Sequence, residues 1–244
     1  MNIEVFNLEV CFPNLGYEER VNRVNLDIKR LESMLITKVT DEGNPRANLK
    51  WKVEMFVSSF VCRALSLASG TCLSWNKGNG LASIILSRAI METAAVAWRI
   101  EKEINKDLQK KDPKSIDLTL TTQTLGRKVY TDGETPLTPT HILDSIRKMD
   151  KTFAGFLRSY EVLSEFAHPN FYGTMNSFVG VEDNFQHCHF DIKFSLTEPI
   201  FNHIILGMTM LEAIEQALKK LLDIKEALLI LEKENPFDKT KQGY

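Results

Sequence analysis

A chain of 244 residues with 43% hydrophobic and 25% charged residues has ordinary globular composition and is long enough for one large or two small domains. Its formal net charge of -2 excludes a global electrostatic bias toward nucleic acid or anionic membrane, so any nucleic-acid contact has to be a local patch. Cys11, Cys62, Cys72 and Cys188 form no CxxC pair, and the opening MNIEVFNLEV lacks a basic region followed by an apolar core, so a cytoplasmic protein with reduced thiols is expected.

The stretch YEERVNRVNLDIKRLESMLITKV places Val21, Val24, Ile28, Leu31 and Leu35 at helical spacing and predicts a first amphipathic helix. Gly43 and Pro45 break the pattern, and a second helix is expected from about residue 49 to 75. KGNG is a turn, lacking the lysine and spacing of a phosphate-binding loop, and its shortness predicts an antiparallel hairpin with the third helix, LASIILSRAIMETAAVAWRIEKEIN. That helix is apolar nearly all round, which predicts a central position. Residues 81–100 and 201–231 are the most apolar, but both carry several charges, so no membrane span and no membrane partner are expected.

Residues 113–141 are rich in threonine and proline and read as an insertion, with a short helix near 115–129 and an exposed loop after it. Helices resume at THILDSIRKMD, with Thr140 as candidate cap, and at KTFAGFLRSYEVLSEFAH, which Pro169 ends. Weak alternation predicts a small β-hairpin at 178–194, and a long final helix is expected from about 198 to 234, with a tail over 235–244. The expected fold is all-α: one helical-bundle domain over residues 1–244 with long antiparallel helices.

Two polar groups stand out. On the central helix Arg88 and Glu92 are an i, i+4 pair in a mainly apolar stripe. They read either as a structural clamp or as an arginine facing a cleft and held by the glutamate, because a buried ion pair is rarely kept for stability alone. In YEVLSEFAHPNFYG, residues 160–173, the side chains of Glu161, Ser164 and His168 share one face at a helix C-terminus, whose partial negative charge favours a charged imidazole. His168 is a candidate for proton transfer, or else caps the last carbonyls.

Glu165 and His168 form an ExxH, but a carboxylate-bridged dimetal site needs a second ExxH, and the chain has none. His187 and His189, with His203, lack a cysteine or acid at zinc-site spacing; no metal and no cofactor are expected. Ser164 is expected to bond back to a carbonyl one turn earlier rather than act as a nucleophile.

SRAIMETAAVAWRI and YEVLSEFAHPNFYG together resemble a group of uncharacterised bacterial helical proteins marked by Arg-x-x-x-Glu on a central helix and Ser-x-x-x-His near a later helix end. The resemblance rests on Arg88, Glu92, Ser164 and His168 and spans about residues 50–230. More distantly the chain resembles the HEPN superfamily, helical toxins and antiviral ribonucleases. That pattern sets an arginine a few residues ahead of a histidine, whereas here nine residues lie between Arg158 and His168. The HEPN resemblance implies metal-independent RNA cleavage through a 2′-hydroxyl, with His168 handling the proton and Arg88 or Arg158 holding the phosphate. It also implies a homodimer, RNA or a nucleotide as ligand, and a protein partner in a bacterial defence or toxin module. The alternative expectation is a non-catalytic scaffold or interaction bundle in which Arg88, Glu92, Ser164 and His168 form a structural network.

Overall fold

The computed structural model describes residues 3–10, 16–39, 48–125, 141–182, 187–191 and 197–236. Its helices are α1 (Glu18–Ser33), α2 (Leu49–Asn76), α3 (Gly80–Gln109), α4 (Pro113–Leu125), α5 (Ile142–Asp150), α6 (Phe156–Ala167), α7 (Met175–Phe178), α8 (Glu198–Asp223) and α9 (Lys225–Glu234). Strands β1 (Val179–Glu182) and β2 (His187–Phe190) form an antiparallel hairpin with Val179 opposite Phe190 and Glu182 opposite His187. The protein is an all-α helical bundle carrying this small hairpin.

Local signals set the first long hairpin. Asn48 caps α2 by accepting from the Lys50 and Trp51 N–H groups, and Asn79 caps α3 by accepting from that of Ala82. Between them Gly78, at φ +78°, supplies the left-handed residue that ends α2. As its composition predicts, α3 is central, packing against α2, α4, α5, α6 and α8. By length and composition α2 and α3 could each cross a bilayer, but half or more of each apolar window is buried against neighbouring helices.

The most extensive helix contact among the described residues is α3 on α8. Ser87 Oγ donates to the Ile204 carbonyl at 3.0 Å, and the contact passes directly over Gly207. One end of the bundle is closed by rings: Trp75 stacks 4.4 Å from Phe201, which Tyr17 and Phe6 meet edge-on at 5.1 and 6.0 Å.

One expectation is sharpened and one corrected. The short helix expected near 115–129 is α4, over 113–125; it buries Ile116 and Leu120 and packs on α2, α3 and α9, so this part of the expected insertion belongs to the bundle. Lys52 Nζ on α2 reaches Asp117 Oδ1 at 2.5 Å and Thr121 Oγ1 at 3.0 Å, and the Asp112 carboxylate accepts the Ser115 N–H ahead of Pro113. The expected loop over 126–140, Thr140 included, lies outside the described residues; the N-cap position of α5 is His141, which makes no side-chain cap.

The final helix is not continuous. It breaks at Ile224, and α9 turns onto α2, where Lys225 pairs with Glu54, Glu226 with Lys50, and Glu232 Oε2 accepts the Leu49 N–H. That carboxylate satisfies an otherwise orphan donor at the positive end of α2. No glycine or proline marks the break; docking of Leu228 and Leu231 on the bundle overrides local helix propensity.

Asp27 on α1 is fully buried; its Oδ1 accepts from Arg30 at 3.2 Å while Oδ2 has no hydrogen-bond partner among the described residues. Burial, then the charge of Glu212, push its carboxyl above the usual value of 3.8. A raised folded-state value means that the folded chain binds this proton more tightly than the unfolded chain. The site therefore costs stability above the raised value, and the cost fades as pH falls through it. Asp27→Asn is expected to raise the melting temperature at pH 7, with the gain shrinking toward pH 4. Melts across that range that place the variant below wild type at neutral pH would refute this account.

Candidate functional site

Arg88 and Glu92 project from α3 toward α6, and Tyr160 of α6 closes the group. Arg88 Nη2 donates to Tyr160 Oη at 2.9 Å, Tyr160 Oη donates to Glu92 Oε1 at 3.0 Å, and the Arg88–Glu92 ion pair spans 3.3 Å. The guanidinium also lies 5.1 Å from the centre of the Tyr160 ring, within cation–π range. Tyr160 is 4% exposed, whereas the Arg88 and Glu92 side chains keep 25% and 26% of their surface open. Burial and the neighbouring Glu92 carboxylate push the phenol above its ordinary value, against the opposing pull of Arg88. Arg88 Nε is buried and has no hydrogen-bond partner among the described residues.

A cleft of about 400 Å³ opens over this group. Arg88 and Tyr160 are part of its lining, and Glu161, Ser164, Glu165 and His168 line it from α6. The helical spacing that gathers Glu161, Ser164 and His168 therefore puts them on the same cleft as Arg88. From α5 come His141 and Arg147, with Ile142 and Leu143 as an apolar wall. Two imidazoles and two guanidiniums thus face a pair of carboxylates.

The residues differ in freedom. Ser164 Oγ donates to the Tyr160 carbonyl at 2.7 Å, the back-bond expected of a mid-helix serine, so it is no free nucleophile. His168 is exposed; its N–H donates to the Ser164 carbonyl, and its extended backbone, φ -85° and ψ 147°, suits the residue before Pro169. The loop behind it is tight. Asn170 Nδ2 donates to Glu165 Oε2 at 2.6 Å, and a Cβ on Gly173 would sit 1.9 Å from the His168 carbonyl oxygen. Only glycine lets this turn fold back and hold His168 at the cleft edge.

Arg158 stands apart. It shares the Val162 and Phe166 face of α6, not the Ser164 face, and is exposed beside His203 of α8. Burial, then the charge of Arg158, lowers the affinity of His203 for a proton. His203 lines a separate cleft of about 290 Å³ with Val162 and Phe166. His187 and His189 lie exposed on β2, and among the described residues no three histidine, cysteine, aspartate or glutamate side chains gather as a metal site.

Sequence reasoning missed Tyr160, His141 and Arg147. Tyr160 stands one helical turn before Ser164, a signal visible in the sequence, but a tyrosine in an apolar segment reads as core. His141 and Arg147 join only because α5 docks beside α6. No protein-family model, no curated protein and no solved structure matches this chain.

Proposed function

We propose that this helical protein binds RNA in the cleft over Arg88 and Tyr160 and cleaves it through a ribose 2′-hydroxyl, in keeping with the HEPN resemblance. The observation that carries the reading is that His168 and Arg88 line one open cleft instead of being sealed in the core. Arg88 and Arg147 supply planar donors for phosphate oxygens. His168 and His141 supply an imidazole pair. One takes the 2′-hydroxyl proton as the 2′ oxygen bonds to phosphorus; the P–O5′ bond breaks, and the other imidazole, protonated, gives its proton to the 5′ oxygen. The products are a 2′,3′-cyclic phosphate end and a 5′-hydroxyl end.

A second reading has support of its own: Tyr160 takes up both Arg88 and Glu92, as a structural clamp between α3 and α6 requires. In that case the protein is a non-catalytic interaction bundle.

Cleavage of labelled RNA in chelator, paired with thermal melts, separates the two. Nuclease chemistry predicts that His168→Ala and His141→Ala, both at exposed positions, each slow cutting by about 10² or more without shifting the melt. Arg88→Lys, which keeps the charge and loses the planar donors, is expected to weaken cutting as well. A wild type that never cuts RNA, combined with lower melting of Arg88→Ala and Tyr160→Phe, discards the nuclease in favour of the clamp.

A further inference from the structure

On the other side of α5 lies a second cleft, of about 350 Å³, between that helix and the C-terminal half of α3. Trp98, Lys102 and Lys106 form one wall at i, i+4 and i+8 on α3; Lys148 and Lys151, near the end of α5, form the other. In a chain of net charge -2 this is a strong local concentration of positive charge, opposed in the lining only by Glu103.

Glu103 is already committed. It accepts from Arg99 Nη1 at 2.6 Å and lies 4.0 Å from Lys148 Nζ. Arg99, 6% exposed, also donates to Ser145 Oγ at 3.1 Å and to Gln123 Oε1 at 3.0 Å, which fixes α5 against α3 and holds the two lysine walls at a set separation. Lys106 and Lys151 have no ion-pair partner among the described residues. Lys102 lies 3.3 Å from Glu101 and Lys148 4.0 Å from Glu103, so Lys106 and Lys151 carry the least compensated charge at the cleft, which an entering anion would offset. The half-buried Trp98 adds an indole to the same cleft, the combination of cations and aromatic face on which single strands are held.

We propose that this cleft is a binding track for single-stranded RNA, with backbone phosphates on its lysines and one base against Trp98. The choice of RNA rests on the reading of the first cleft, since Arg88 and Lys102 lie on the same helix roughly 21 Å apart, within reach of one short strand. The lysine track positions the strand, and the first cleft acts on it.

Anisotropy of a labelled short RNA, read over a range of salt concentration, tests the track on the full chain. Neutralising two phosphate contacts with Lys148→Gln/Lys151→Gln is expected to weaken binding at least tenfold at 0.15 M salt, and to lower the slope of log affinity against log salt by roughly 1.4. Lys102→Gln/Lys106→Gln should match it from the opposite wall. Trp98→Leu should weaken binding with the slope unchanged, and inorganic polyphosphate should compete less well than RNA of equal charge. Wild-type slopes in both lysine pairs overturn the track. So does Trp98→Leu binding as tightly as wild type with polyphosphate competing as well as RNA, which leaves a plain polyanion patch. Melts of each variant confirm folding. Binding that is lost in the lysine pairs while wild type never cuts sustains the track and removes the nuclease; cutting that survives unchanged in the lysine pairs does the reverse.

Discussion

Gly207→Ala is expected to lower the melting temperature by roughly 5–10 °C, although alanine is the better helix former by about 1 kcal/mol. A Cβ at position 207 would lie 2.2 Å from Ser87 Oγ and 3.2 Å from the Ser87 carbonyl oxygen. The hydroxyl cannot simply rotate aside, because it donates to the Ile204 carbonyl one turn before the glycine. The substitution therefore both pushes α3 away from α8 and takes from the buried Ser87 hydroxyl the carbonyl to which it donates. Overpacking costs about 1–3 kcal/mol and loss of the Ser87 hydrogen bond about 1 kcal/mol more, which outweighs the propensity gain. Ser87→Ala combined with Gly207→Ala should melt above the glycine variant alone. A single variant that melts at or above wild type would mean that the crossing is looser than the structure gives.

Lys52→Met is expected to cost about 3–5 kcal/mol in urea unfolding. The Lys52 side chain is 11% exposed and that of Asp117 is 1% exposed, so loss of the ammonium leaves a carboxylate stranded between α2 and α4. Coulomb gain and desolvation nearly cancel while both partners are present, but the stranded charge has no such offset. Lys52→Met/Asp117→Leu should accordingly recover most of the loss. Hydrogen exchange should show α4 opening first in the single variant. A cost under 1 kcal/mol would mean that water reaches Asp117 and that α4 is docked by its leucine and isoleucine alone.

The fold was legible where a local pattern and the tertiary environment agree. Asn48, Asn79 and Gly78 punctuate α2 and α3, the all-round apolarity of α3 predicts its central place, and Pro169 stops α6 at His168. It was illegible where composition and spacing disagree. Threonines and prolines make 113–141 look like an insertion outside the bundle, yet Ile116 and Leu120, four residues apart behind Asp112–Pro113, give its short helix a core-facing side. At Ile224 there was nothing to read, since the break exists to dock α9.

The site follows the same division. One helix wheel is enough to gather Glu161, Ser164 and His168, because their relation is set by a single element. It cannot say which helix lies opposite. Arg158, nearer to His168 in sequence than Arg88 is, faces another helix, while Arg88, His141 and Arg147 arrive through packing. The Trp98, Lys102, Lys106 stripe was present in the sequence as well, but without the lysines of α5 it reads as a solvated helix face.

The carboxylate of Glu232 on the first turn of α2 has a consequence for how the chain is made. Leu49 waits for a partner 183 residues downstream, and the same holds for Tyr17 with Glu198, Arg20 with Asn202 and Lys50 with Glu226, at separations of 181, 182 and 176. While the ribosome is still at work, α2 and α3 can pair locally, but α1 has no α8 to lie against and the buried faces of the early helices stay wet. Synthesis of α8 and α9 therefore decides when the bundle can close, and nascent chains carry their most apolar helices exposed until those helices emerge.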